Sequence, residues 1–144
     1  MSALEAVEAV YSHDLALPLD TVWRLLDNFG DLHWIPGDLN VTTQGTGVGM
    51  SRTIALPGVG AVREELAFKE PGAHHYGYVV SGDLPYPVAD YRAEVSLSME
   101  GPSTCRVTWH GTFRPRGASP EEAREIMLAV YRQIAGWIEL HLDA

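Results

Sequence analysis

The sequence predicts an α+β domain in which a seven-stranded, strongly bent antiparallel sheet wraps a long C-terminal helix, with two short helices between the first and second strands. Three observations lead there. From Leu39 to Phe113 the chain falls into strand-like segments separated by turn signals at roughly 8–12 residue spacing, the pattern of an antiparallel meander. Beyond Pro115 the pattern becomes helical and no glycine interrupts it between Gly117 and Gly136. Third, 144 residues with 46% hydrophobic and 20% charged content suit one domain with its own core, here taken as residues 1–144.

The elements follow in order. Val7 to Leu17 alternates with period two, placing Tyr11, His13, Leu15 and Leu17 on one side, until Pro18 ends the ladder. From Leu19 to Asp27 the period changes to that of a helix, with Val22, Trp23, Leu25 and Leu26 apolar, Asp20 near the amino end and Gly30 beyond it. Asp31 to Gly37 has room for a second short helix before Pro36. Six strands are then expected at 39–44, 50–56, 61–70, 74–80, 88–99 and 104–113, because Gly- and Pro-rich turns separate them. Ser119 with Glu122 three residues on is a capping box, and Pro120 suits the first helical position. The predicted helix at about 119–141 gathers Ala123, Ile126, Met127, Val130, Tyr131, Ile134, Trp137, Ile138 and His141 on one arc. So wide an apolar face needs a sheet to lie on, and a bent sheet around one helix leaves space between them.

Composition removes several function classes. With 10 Lys+Arg against 19 Asp+Glu the formal charge is −9, which repels phosphate backbones and anionic headgroups, so no nucleic acid partner is expected. No stretch is apolar enough for a membrane span, and Glu5 stands where a signal peptide carries Lys or Arg; no membrane insertion is expected, and a cytoplasmic location is. One cysteine, Cys105, excludes an intramolecular disulfide and reads as a small buried side chain. Of six histidines, His74 and His75 are adjacent on a strand start and point to opposite faces, so no metal site is expected. Gly45 to Gly49 lacks the Lys-Ser/Thr of a phosphate loop, and nothing else asks for a cofactor.

Strand parity supplies the candidate site. On 61–70 a carboxylate, Glu64, shares a face with Val62, Leu66 and Phe68; on the hairpin neighbour, Arg52 lies with Met50, Ile54 and Leu56. An Arg and a Glu inside the concavity are either a structural ion pair or the polar contact of a ligand. Strand 88–99 turns Ala89, Tyr91, Ala93, Val95, Leu97 and Met99 inward, and 104–113 turns in Cys105, Val107, Trp109, Gly111 and Phe113. Small Ala93 beside Tyr91 leaves volume open. His13, on the apolar side of the first strand, is either a satisfied side chain or, with Glu64, the first candidate for an acid/base pair.

The order of these elements resembles the helix-grip fold of the START and birch-pollen-allergen (SRPBCC) superfamily, in its polyketide cyclase/dehydrase-like branch. Pro18 with Val22-Trp23 and Leu25-Leu26, then Phe29, Trp34, Pro36, Gly49, Arg52, Arg63-Glu64-Glu65-Leu66, Asp90-Tyr91-Arg92, Val107-Thr108-Trp109, Phe113 and Pro115 carry it across nearly the whole chain. The resemblance implies an internal cavity for a small, mostly apolar molecule, whether polyketide-like, aromatic or lipid-like. It also implies, as the alternative, a cofactor-independent cyclase or dehydratase. Glu64, Tyr91, Arg52 and His13 are then the candidates for chemistry; Ile54, Leu56, Leu66, Ala93, Trp109, Met127, Val130 and Ile134 those for ligand contact, with Trp34, Val59 and Leu84 at the mouth. In the plant abscisic-acid receptors, which look like distant relatives, two loops close over the ligand. Residues 57–61 and 81–87 fall at those places but depart from both motifs, so hormone signalling is not carried over.

Overall fold

The computed structural model describes residues 6–37, 39–56, 60–82 and 84–142, with the side chain of Leu56 outside the description. Its elements run β1 (Val7–Leu15), α1 (Leu19–Asp27), β2 (Asn40–Gln44), β3 (Ser51–Leu56), β4 (Gly60–Glu70), β5 (His75–Ser81), β6 (Val88–Gly101), β7 (Thr104–Pro115) and α2 (Pro120–Leu142). The seven strands form one antiparallel sheet in the order β1-β7-β6-β5-β4-β3-β2. Every neighbour but β1–β7 is consecutive in the chain, as a meander requires. The curved sheet closes on α2, which packs against β1 and β7, so the helix-grip architecture holds.

The C-terminal helix begins as the sequence dictates. Ser119 N–H donates to Glu122 Oε1 (3.2 Å) and Glu122 N–H to Ser119 Oγ (3.1 Å), closing the capping box and holding the Glu122 carboxyl below its usual pKa. Ala123, Met127, Tyr131, Ala135 and Ile138 are buried along one stripe. Two residues assigned to that face behave otherwise: Ile126 is exposed, and His141 is exposed with its ring edge-on to His33 at 4.9 Å. The buried stripe is narrower than the apolar arc because the inner face of the sheet meets only its centre.

Four expectations need correction. The second short helix is a single turn, in which Ile35 N–H donates to Leu32 O at 3.0 Å. Asp31 Oδ1 accepts the backbone N–H of His33, diverting it from a helical ladder, and a proline at 36 disfavours helical angles at the residue before it. Phe68 does not share the inner face with Glu64. A bulge between Leu66 and Phe68 shifts the register, so Phe68 pairs with Gly77 and covers it, while Lys69 swings inward to salt-bridge Asp27 at the end of α1. A second bulge, between Ala89 and Arg92 with Asp90 at φ 52°, buries Val88 in place of Ala89 and leaves Tyr91 inward. Met99 is 69% exposed, because it lies beside the β6–β7 turn, past the reach of the core.

Ile138 is wholly buried on the inner stripe of α2, whereas Leu140, two residues on, is 74% exposed. Ile138→Ala is expected to cost about 2–5 kcal/mol in a denaturant titration, and Leu140→Ala less than about 0.5 kcal/mol.

Candidate functional site

The space between sheet and helix is a cleft of about 260 Å³. Its walls are Ile54, Val62, Val95 and Trp109 from the strands and Met127, Val130, Ile134 and Trp137 from α2. Leu25 and Leu26 of α1, the turn at Leu32–Pro36 and the segment Leu84–Tyr86 complete it. Within this mostly apolar lining lies a polar cluster of Arg52, Glu64, Tyr76, Tyr78, Tyr91 and Tyr131.

Arg52 and Glu64 face each other across the β3–β4 ladder, 8% and 9% exposed. Arg52 Nε donates to Glu64 Oε1 at 2.7 Å and Nη1 to the Phe29 carbonyl at 2.8 Å, while the guanidinium lies 3.9 Å over the Phe29 ring. Burial is the largest influence and opposes the Arg52 charge, but the Glu64 carboxylate with its hydrogen bond, together with the Tyr76 and Tyr78 phenols, outweighs it and holds the guanidinium above its ordinary pKa. Arg52 Nη2 and Glu64 Oε2 make no hydrogen bond among the described residues. The two side chains form a buried ion pair in which Arg52 Nη2 and Glu64 Oε2 stay open to a further partner.

The phenols extend the cluster. Tyr91 and Tyr131 share a hydrogen bond of 2.5 Å between their hydroxyls, tying β6 to α2. Gly111 makes room for it, since a Cβ there would lie 2.0 Å from the Tyr131 oxygen. Trp109 stacks on Tyr131 with ring centroids 6.3 Å apart. Burial pushes the Tyr131 and Tyr76 hydroxyls up to about 12, and those of Tyr78 and Tyr91 well above the usual phenol value. All four stay protonated donors at neutral pH.

Of the residues singled out in the sequence, Arg52, Glu64, Tyr91, Ile54, Trp109, Met127, Val130, Ile134, Trp34 and Leu84 line the cleft. Leu66 and Ala93 are buried core outside the lining, since the strands there carry their side chains under neighbouring residues. His13 is not at the cleft either. Its Nε2 lies 2.7 Å from Glu139 Oε1 and its Nδ1 2.9 Å from the Tyr11 hydroxyl, on the flank where β1 meets α2. Val59 and the side chain of Leu56 lie outside the described residues. Trp34 is buried rather than at the rim, and its indole N–H has no partner among the described residues. The sequence reading missed Tyr76, Tyr78 and Tyr131 as polar lining. Alternation on β5 could have flagged the first two; Tyr131 sits on the helix's apolar arc, where a phenol reads as core.

Elsewhere the rings of His74 and His75 diverge, one edge-on to Trp23 at 5.3 Å and the other 2.8 Å from Glu94. No three His, Cys, Asp or Glu side chains gather as a metal site among the described residues. Burial raises the Cys105 thiol pKa, which makes it a poor nucleophile. No helix among the described residues is long and apolar enough to cross a membrane.

Residues 6–137 match the model of the family described as polyketide cyclase / dehydrase and lipid transport. The chain belongs to this family. Its fold is that of the SRPBCC superfamily, and solved structures agree. XoxI of Bacillus cereus superposes with a TM-score of 0.77 at 24% identity, over 95% of this chain and 96% of that one. A point mutant of norcoclaurine synthase from Thalictrum flavum, in complex with a transition-state analogue, gives 0.77 at 15% identity over 99% and 98%. The same enzyme in complex with dopamine and hydroxybenzaldehyde gives 0.73 at 18% identity over 96% and 88%. These likenesses establish the fold. No curated protein matches the sequence. The family thus supplies a ligand-binding or cyclase fold, and the geometry above is this member's version of it.

Glu64→Gln leaves the Arg52 guanidinium buried without its counter-charge and is expected to lower stability by about 3 kcal/mol in urea titration. Alkaline pH gives a second expectation. Folded Tyr76 and Tyr131 keep their protons up to about 12, whereas unfolded phenols lose them near 10. Between those values the unfolded chain binds fewer protons, so stability present below about pH 10 is lost on the way to about pH 12. Tyrosine absorbance and the denaturation midpoint, followed together, are expected to show delayed ionisation and a falling midpoint in that window.

Proposed function

We propose that the chain acts as one ligand-binding domain that takes a small, mostly apolar molecule, aromatic or polyketide-like, into the cleft between sheet and α2. The observation that carries this is the lining itself: an apolar wall with a few placed polar groups, among which Arg52 Nη2 and Glu64 Oε2 are unspent. Membership of a family that includes polyketide cyclases and lipid transporters supports the reading. So does the norcoclaurine synthase neighbour, whose structure holds two small aromatic molecules. Lipid-like ligands belong to the same class but fit the phenol-rich floor less well.

A second reading, cofactor-independent cyclisation or dehydration, is favoured by the free oxygen of Glu64 beside a row of protonated phenols. Glu64 would take a proton from a carbon between two carbonyls, and Tyr76 or Tyr78 would donate a hydrogen bond to the carbonyl that carbon attacks. Tyr91 would act through Tyr131, and Arg52 would hold the Glu64 carboxylate in place. His13 has no part in this scheme.

Trp34, Trp109 and Trp137 line the cleft, so their fluorescence reports its occupancy. Titration with flat aromatic ketones is expected to quench it saturably, and incubation with a poly-β-ketone followed by mass spectrometry separates binding from turnover. Saturable quenching with the ketone recovered unchanged in both mass and chromatographic retention assigns a carrier or sensor; loss of water, or a product of equal mass and altered retention, assigns the enzyme. Ile134→Trp fills the cleft from α2 and is expected to weaken binding by about tenfold or more while the far-ultraviolet circular dichroism stays that of the parent. Absence of quenching by every aromatic ketone, or full affinity in the filled variant, would rule the site out.

A further inference from the structure

We infer that the cleft selects a neutral ligand carrying ketone-type oxygen acceptors on a flat ring system and rejects carboxylates, so that fatty and aromatic acids are not its cargo. The inference rests on the cleft being a ligand site, and it names the chemical class. Among the described residues three charged side chains line the cleft, Arg52, Glu64 and Asp31, one cation against two carboxylates. The backbone and ring of His33 both hydrogen-bond Asp31 and hold its carboxyl below the usual range, so it stays ionised.

The single guanidinium is already engaged by Glu64 and by the Phe29 carbonyl. An anion brought to Arg52 Nη2 would sit beside the Glu64 carboxylate, whose repulsion offsets the attraction and whose low-polarity surroundings screen neither. A formal charge of −9 on the whole chain adds a field that repels anions on approach. A ketone meets none of this. Tyr76 and Tyr78 line the cleft and their hydroxyls have no partner among the described residues, so they can donate to a carbonyl oxygen without any charge being buried. Burial keeps both phenols protonated.

2-Acetylnaphthalene and 2-naphthoate share a ring system and differ by a methyl group in place of a charged oxygen; methyl 2-naphthoate restores neutrality with the carboxyl oxygens retained. Calorimetric titration of the full chain at neutral pH is expected to give the ketone and the ester similar affinities, each about tenfold or more above the acid. In Glu64→Gln the cation is released from its partner. The acid is then expected to gain about tenfold relative to the ketone, and to raise the melting temperature of the variant more than that of the parent. An acid that binds the parent as tightly as the ketone overturns the inference, as does a ratio that Glu64→Gln leaves unmoved. Should the variant fail to fold, the three-ligand comparison on the parent chain decides alone. Binding of none of the three, with no perturbation of the cleft tryptophans, removes the ligand site itself; binding of all three alike removes only the selectivity.

Discussion

The ion pair between Arg52 and Glu64 is the constraint around which the rest of the site is arranged. Two oppositely charged groups are buried opposite one another on adjacent strands, and neither could stay there alone. The pair sets the register of the β3–β4 hairpin by an energy that a one-residue slip would forfeit. Through Nη1 it also reaches the Phe29 carbonyl, and through its flat face the Phe29 ring, so it anchors the chain leaving α1. That segment, continuing through Trp34 to Pro36, is one wall of the cleft. The polar floor, the position of the wall and the shape of the opening therefore share one electrostatic origin.

A second linkage keeps the helix at a fixed stand-off from the sheet. Tyr131 spans the gap, accepting or donating to Tyr91 and stacking on Trp109, while Gly111 supplies the space its hydroxyl needs. Large side chains at the contact and a glycine beneath them give a close approach at one point and leave an unfilled volume beside it. Phe68 over Gly77 does the same on the outer face, where the β4 bulge has moved it. Phenols suit the inner role because burial suppresses their ionisation: they add hydrogen-bonding capacity to an apolar wall without adding charge.

Most of the architecture was legible in the sequence, because each element carries its own local signal. The capping box at Ser119 and Glu122, the period change after Pro18 and the turn signals from Gly45 to Ser103 place the elements to within a few residues. Alternation also put Arg52, Glu64, Tyr91 and Trp109 on the inner face, since burying a charge on one strand requires its partner on the next. The misplaced residues share a cause. Phe68, Ala89 and Met99 follow strict alternation only if the strands are regular, and two bulges and a strand end break that rule with no residue type announcing where. The turn at Asp31–Pro36 failed as a helix because a side-chain acceptor competes with the helical ladder, a contest decided by geometry rather than by propensity.

What the sequence determined by itself was the order of elements, the amphipathic C-terminal helix and the inward parity of a charged pair, since periods of two and 3.6 residues are local properties of the chain. Which inward residues line open space and which are packed core was decided only by tertiary structure. Leu66 and Ala93 share parity with Glu64 and Tyr91 yet lie under neighbours, and His13, on the apolar side of its strand, is drawn to Glu139 on the helix flank instead of the cleft. Tyr131 reads as core on the helix arc, but the fold brings it to Tyr91 and makes it part of the polar floor. The physical reason is that a cavity is a relation between distant segments: how far the sheet bends and how closely the helix approaches depend on the summed volumes of side chains that no local pattern records.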